Sequence, residues 1–256
     1  MNIAVLVKQV PEDLGAVQVT GDHTLDRSTA SPVTDPVGRN ALEAAVQVVE
    51  AAGGGTVTAI TLGPAGAKAA LKECVSVGAH AGVHLLDDGL AGVDALGTAR
   101  LLAAAVRRLD DVDLVIAGTR SFDGGSTAVP AMVAELLDLP SVTAVTALDA
   151  EDGALLCTRV LDDGHERVRL PLPGVVGVDE YVNTPRYPSV KSKLAANKAV
   201  FEVLTADDLG VVPGRHATVL EVTAPPAREP GVRITGDTAE DTAEKLVAAL
   251  VGAGVL

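Results

Sequence analysis

Gly53-Gly-Gly55-Thr56-Val-Thr-Ala-Ile-Thr-Leu62-Gly63-Pro64 is the stretch that decides the fold class. Seven β-branched or apolar residues, bounded by glycines before and Gly-Pro after, read as a buried strand. The turn after Leu62 hands the chain to a helix expected to run through about Val77, and Ala81 to Leu86 is again a short apolar run. Strand, helix and strand at this spacing make a unit of parallel sheet. The same rhythm extends outward. Ile3 to Lys8 reads as a first strand. Asp35-Pro36 then sets an acid at a helix N-cap and proline at the first helical position. Ala41, Leu42, Ala45, Val46 and Val49 repeat every three to four residues, so that helix should reach about Ala52. Downstream, Asp94 opens a helix to about Leu109, and Asp113-Leu-Val-Ile-Ala-Gly118 is a strand. Thr119 to Thr127 is a loop before a helix ending near Leu137. Four alternations predict an α/β, doubly wound, mainly parallel sheet with right-handed crossovers.

After residue 140 the character changes. Val142 to Leu148, Ala154 to Leu161 and Glu166 to Leu172 are separated by Gly and Asp turns and predict an antiparallel extension. Val175 to Val178 reads as a further buried strand, Phe201 to Leu204 as a short one, and His216 to Val222 as a strand reaching outward. Residues 17–20 and 23–26 around Gly21-Asp22 suggest a hairpin. Ala224 to Gly231 is a proline-rich linker, and Ala239 to Leu250 a closing amphipathic helix. The expected division is an α/β domain over 1–223, with the linker and helix over 224–256.

Composition narrows the chemistry. Acids outnumber Lys plus Arg by 34 to 20, a net charge of −14, which disfavours nucleic acid as a partner. No run approaches 18 uncharged apolar residues, so membrane insertion is not expected. Met1 to Lys8 has no charged segment ahead of its apolar run and reads as a strand, not a signal peptide. A cytoplasmic protein with reduced, core-bound Cys74 and Cys157 is expected. The five histidines lack metal-ligand spacing and any nucleophile motif, so no catalytic or metal site is predicted.

In an open parallel sheet, ligands gather beyond the carboxyl ends of the strands. Three loops there stand out: the one after Val7-Lys8, the one at Leu62-Gly63-Pro64-Ala65, and Ser121-Phe-Asp-Gly-Gly-Ser-Thr127. Adjacent glycines let backbone N–H groups approach an anion, and a following helix start adds unpaired donors. A phosphate at Gly124 to Thr127 is the natural expectation. No Gly-x-Gly-x-x-Gly and no P-loop lysine is present. The aromatic residues are Phe122, Tyr181, Tyr187 and Phe201, too few to sandwich a flavin ring, so isoalloxazine chemistry would lean on a second subunit.

A different signal lies at Asn183-Thr-Pro-Arg-Tyr-Pro-Ser-Val190 and the segment to Lys198. From Arg186 onward it carries Arg186, Lys191, Lys193 and Lys198 and no acid, on a strongly acidic chain. Pro185 and Pro188 force extended or turn backbone just before a helix-like run. Together with Met1-Asn-Ile-Ala-Val-Leu-Val-Lys-Gln-Val-Pro11, Gly63-Pro-Ala65, Asp123-Gly-Gly-Ser-Thr-Ala-Val-Pro130 and Leu170-Pro-Leu-Pro-Gly-Val-Val-Gly-Val178, this arm resembles the electron-transfer flavoprotein β-subunit over nearly the whole chain.

The resemblance implies a Rossmann-like, adenine nucleotide hydrolase-like sheet with an antiparallel extension and a C-terminal arm. It implies an electron-carrier subunit, without turnover of its own, in a heterodimer whose α-subunit holds most of a redox-active FAD. A structural AMP would sit in the β-subunit, lined by Leu6, Asp35, Pro36, Leu62, Gly63, Ser121, Asp123, Gly124, Gly125, Ser126, Thr127 and Val129. The arm, through Arg186, Tyr187, Val190, Lys191 and Lys193, would dock acyl-CoA dehydrogenase-type donors of fatty acid β-oxidation. Electrons would pass on to a quinone-linked acceptor oxidoreductase and the respiratory chain, and 224–256 would pack on the partner subunit. The chain departs from the family pattern in places. Val190 replaces a usual Leu, Lys191-Ser-Lys-Leu194 replaces Pro-x-Ile-Met, Ala128 and Pro130 replace Gln and Gly, and Asp35 replaces Asn. Two alternatives stay open: a bifurcating subunit with a second FAD in the AMP pocket, and a nucleotide-binding module of the stress-protein or ATP-pyrophosphatase type.

Overall fold

A computed structural model of the chain describes every residue except 22–24, 91, 152, 215 and 222–229. The strands are β1 (Asn2–Val7), β2 (Gln9–Pro11), β3 (Gln18–Val19), β4 (Leu25–Asp26), β5 (Pro32–Thr34), β6 (Thr56–Leu62), β7 (Ala81–Leu85), β8 (Leu114–Gly118), β9 (Ser141–Glu151), β10 (Ala154–Leu161), β11 (Gly164–Pro171), β12 (Gly174–Val178) and β13 (Glu202–Leu204). The helices are α1 (Pro36–Ala51), α2 (Lys68–Val77), α3 (Ala95–Arg107), α4 (Val129–Leu137), α5 (Val190–Ala196) and α6 (Ala239–Gly252).

Nine strands form one sheet in the order β11-β10-β9-β12-β8-β1-β6-β7-β13. Pairing is parallel from β9 to β13, and β10 and β11 add the antiparallel extension. The expected α/β class, mainly parallel with an antiparallel edge, is the one observed. The chain steps outward from β1 through β6 and β7, then returns to the other side of β1 as β8. Strand order therefore reverses beside β1, which is where such sheets open a crevice.

Alternation along β1 explains the two layers. Ile3, Val5 and Val7 pack under α1 and α2, whereas Ala4 and Leu6 face α3 and α4. Small residues on the helices, including Ala41, Ala45, Ala99, Ala103 and Ala134, let them lie close to the sheet. The glycines before β6 have a stereochemical cause at Gly55. Its φ is +151°, and a Cβ there would lie 2.0 Å from the Met1 carbonyl oxygen. Cys74 and Cys157 are free and buried, and burial pushes their thiols up to about 12 and about 11, so neither offers a thiolate.

Some expectations shift. A 3-10 turn at Ala65–Ala67 precedes α2, so the helix begins later than Pro64 suggests. The hairpin around Gly21 has its paired strands, Gln18 opposite Asp26 and Val19 opposite Leu25, while its turn at 22–24 lies outside the described residues. Residues 216–221 form no strand. The His216 and Ala217 N–H groups donate to the Asp94 carboxylate instead of to a neighbouring strand, and Val222 lies outside the described residues. So does most of the proline-rich linker.

The chain divides into two units, Met1–Leu220 and Glu221–Leu256. In the second, Thr238 caps α6 through Asp241 N–H, and Lys245 pairs with Asp241 at 2.8 Å. Leu246, Val247 and Val251 on this helix are exposed. Among the described residues no helix is long and apolar enough to cross a membrane.

Candidate functional site

The carboxyl ends of β1, β6 and β8 open onto a cleft of about 570 Å³. Its floor and walls are aliphatic: Leu6, Leu62, Leu90, Val93, Leu102 and Val129. Of the residues expected to form a nucleotide pocket, Leu6, Asp35, Leu62, Gly63, Ser121, Gly124, Ser126, Thr127 and Val129 line it. Pro36, Asp123 and Gly125 do not. Pro36 is the first residue of α1, and Gly125 turns the loop at φ +60°.

Asp35 joins three elements at the cleft. Its N–H donates to the Lys8 carbonyl. Its Oδ1 accepts from Val37 N–H (3.0 Å) and Gly38 N–H (3.2 Å), capping α1. Its Oδ2 accepts from Phe122 N–H at 2.7 Å, holding the glycine loop against the helix start. Gly124 N–H and Gly125 N–H both donate within the loop, to the Ser121 hydroxyl and carbonyl oxygens. Among the described residues, Ser126 N–H and Thr127 N–H have no such acceptor. α4 begins without a side-chain cap. A Cβ on Gly124 would meet Ser121 Oγ at 2.7 Å, so a side chain there would displace the hydroxyl that accepts from Gly124 N–H. Thr127 holds φ +54°, a costly conformation for a β-branched residue.

Asp123 is the residue whose role sequence reasoning placed differently. Its side chain is wholly buried and turned from the cleft wall. Lys8 Nζ meets Oδ1 at 2.5 Å, and Arg27 meets Oδ2 through Nε (2.8 Å) and Nη2 (2.7 Å). Burial by itself would raise this carboxyl, but the hydrogen bonds and charges of Lys8 and Arg27 outweigh it and hold it below the usual range. Lys8 and Arg27 themselves line the cleft and were absent from the expected set. Lys8 directly follows the first strand, a position that could have flagged it. Arg27 arrives from the 12–34 excursion, which no local pattern ties to residue 123. The lining chemistry, aliphatic walls with donors at one end, fits a mononucleotide, whose base is apolar in its faces and whose phosphate is anionic.

The arm is fixed at its root. Asn40 on α1 donates through Nδ2 to the carbonyls of Glu180 (3.1 Å) and Asn183 (2.9 Å), and Asn183 Nδ2 returns a bond to Asn40 O (3.0 Å). Arg186 grips buried Glu43 through Nε and Nη2 and reaches Glu50 through Nη1 and Nη2. The Arg186 hydrogen bonds hold the Glu50 carboxyl below its usual range. Arg186 is thus tied to α1, while Tyr187 and Val190 are 96% and 77% exposed. Lys191 and Lys193 are exposed too, on the short helix α5 that Ser189 caps. Leu194 joins Val190 one turn along α5, an exposed partner that the i, i+4 spacing could have revealed.

Comparison with known proteins gives this geometry a context. The Electron transfer flavoprotein domain matches residues 23–209. The electron transfer flavoprotein subunit beta of Mycobacterium tuberculosis is 40% identical over 247 residues, covering 92% of this chain and 93% of that one. That of Thermoanaerobacterium thermosaccharolyticum is 36% identical over 248 residues, 94% of each chain. The chain belongs to the electron transfer flavoprotein β-subunit family. As a member it is an electron-carrier subunit, not an enzyme with its own turnover. A third relative, the caffeyl-CoA reductase-Etf complex subunit CarD of Acetobacterium woodii, is 34% identical over 259 residues, 98% of each chain. Among the described residues no cluster of His, Cys, Asp or Glu could hold a metal ion.

Proposed function

We propose that this chain is the small subunit of a cytoplasmic heterodimeric electron carrier. An α-subunit holds most of a redox-active FAD, and this chain contributes an AMP site and a docking arm. AMP occupies the cleft at β1, β6 and β8, its base among the leucines and valines and its phosphate toward the 121–127 loop. The exposed apolar face of α6 packs on the α-subunit. Electrons enter from acyl-CoA dehydrogenase-type donors of β-oxidation and leave to a quinone-linked acceptor of the respiratory chain.

The arm is the observation that carries this reading. A surface segment whose root is riveted to a helix by Asn40, Asn183, Glu43 and Arg186, yet whose tip leaves Tyr187, Val190 and Leu194 in water, is built to meet another protein. Lys191 and Lys193 surround that tip with positive charge on an acidic chain, which favours acidic rims on the donor. Co-expression with the α-subunit should give a yellow complex with flavin absorbance that releases FAD and AMP on denaturation. A colourless, flavin-free complex refutes the proposal.

A second FAD in place of AMP is the other reading, favoured by the relative from a caffeyl-CoA reductase complex. The described cleft lining carries no aromatic side chain to stack on a second isoalloxazine, and AMP is therefore preferred. Mass measurement of the released nucleotides separates the two.

A further inference from the structure

Asp123 poses a question that its place in the glycine loop does not answer: why a fully buried carboxylate is set behind the cleft wall. A buried charge is tolerated only when it is paired and its lone pairs are filled. Here the pairing is over-complete. Two cations from distant segments, Lys8 just after β1 and Arg27 in the 12–34 excursion, converge on one carboxylate. Their side chains remain 40% and 48% exposed, and both line the cleft that Asp123 itself does not reach.

Donor capacity decides what this arrangement can hold. A lysine has three N–H donors and an arginine five. Lys8 uses its ammonium on Asp123 and more weakly on Ser121 Oγ (3.4 Å), and Arg27 uses Nε and Nη2 on Asp123. Arg27 Nη1 has no acceptor among the described residues. The acids at the cleft have no matching surplus. Asp35 accepts from three backbone N–H groups, and Asp94 accepts from Gly97, His216 and Ala217. Arg120 adds a further exposed cation to the lining. The acidic oxygens at the cleft are therefore engaged, while hydrogen-bond donors on cations are left over.

We propose that Lys8, Arg27 and Asp123 form a preset phosphate-reading triad: Asp123 is a buried positioning residue that aims both cations, and the cations select phosphorylated nucleotides over nucleosides. One carboxylate restrains two cations without neutralising both, so the triad keeps one unit of positive charge for an anionic ligand. Because Arg27 comes from the excursion, the same pairing holds residues 25–27 against the 121–127 loop. This inference rests on the nucleotide reading of the cleft and adds to it the residues that set specificity.

The test compares AMP, adenosine and inorganic phosphate by calorimetric titration of the intact heterodimer, freed of resident nucleotide by gel filtration. The wild type should bind AMP about 10- to 100-fold more tightly than adenosine, the range for hydrogen bonds to a charged partner. Asp123→Asn leaves one amide face donating toward a cation, so the AMP-to-adenosine ratio should fall severalfold while adenosine affinity changes little. Arg27→Met, at a half-exposed position, should lower the same ratio while Lys8 still pairs with Asp123, and covers the case of a poorly folded Asp123→Asn. Unchanged ratios in a folded Asp123→Asn and in Arg27→Met overturn the triad but leave the nucleotide reading standing. A wild type that binds AMP and adenosine equally does the same. Absence of binding by both AMP and adenosine overturns the nucleotide reading and the triad with it.

Discussion

Removing the Arg186 side chain should loosen the arm and measurably destabilise the chain. The Glu43 side chain is only 4% exposed, and in the wild type it accepts from Arg186 Nε (2.8 Å), Arg186 Nη2 (3.0 Å), Arg186 N–H (3.2 Å) and Gln47 Nε2 (2.8 Å). Arg186→Ala keeps the backbone and Gln47 donors but leaves the buried carboxylate without a cation. Breaking a fully buried pair costs about 3–5 kcal/mol, and the remaining donors and the partial exposure of Arg186 reduce this to about 2 kcal/mol. The outer pair with Glu50 is exposed and screened by solvent, so it adds little. At about 2–4 °C per kcal/mol for a chain of this size, the midpoint of thermal unfolding should fall by about 4–8 °C. The Glu50 carboxyl sits below its usual range in the folded chain. Its contribution is present above the unfolded-state pKa of about 4.3 and lost as pH falls through the lower folded value. The mutational penalty should therefore shrink in acid. Arg186→Lys should recover only part of the loss, because an ammonium cannot bridge two carboxylates with a planar fork. Glu43→Ala/Arg186→Ala should be more stable than Arg186→Ala alone, since it removes the orphaned charge. Denaturation curves with limited proteolysis of 184–190 check all three variants. A single Arg186→Ala variant within 0.5 kcal/mol of wild type, or a double variant less stable than the single, refutes the reasoning.

Three further outcomes follow from the same geometry. Charge reversal at Lys191 and Lys193 should slow reduction of the heterodimer by an acyl-CoA dehydrogenase at low salt while leaving FAD content unchanged, and stopped-flow flavin absorbance measures it; equal rates would remove these lysines from docking. Gly55→Ala should cost about 2–4 kcal/mol, because its Cβ meets the Met1 carbonyl and its φ is unsuited to a side chain, and urea titration gives the value. The Asp123 carboxyl is depressed in the folded chain, so its stabilisation holds above about pH 4 and is lost as pH falls further. Asp123→Asn should flatten the acid limb of a stability-against-pH curve, and an unchanged slope would show that this pair carries no proton linkage.

Local patterns were enough for the sheet. β6 at Thr56–Leu62, the cap and first residue of α1 at Asp35-Pro36, and the alternation that sorts Val5 from Leu6 are written in period, capping chemistry and turn residues. They depend on neighbours a few positions away, so a single chain displays them. The glycine loop and the basic arm were legible for the same reason. The strand expected at 216–222 was not formed where described, because the His216 and Ala217 N–H groups found the Asp94 carboxylate, an acceptor more than a hundred residues distant. Asp123 drew its partners from residues 8 and 27, and Arg186 drew its own from α1. Whether a charged side chain lines a pocket, anchors a loop or waits in solvent depends on which counter-charge the fold brings within about 3 Å, since pairing strength falls off with distance and rises with burial. By itself, the sequence determined most of the elements, their order along the chain and the glycine loop and aliphatic strand ends that meet at the cleft. Only the tertiary structure decided which charges are bound within the molecule and which remain available to a ligand or a partner, because that choice is made between segments that meet only after folding.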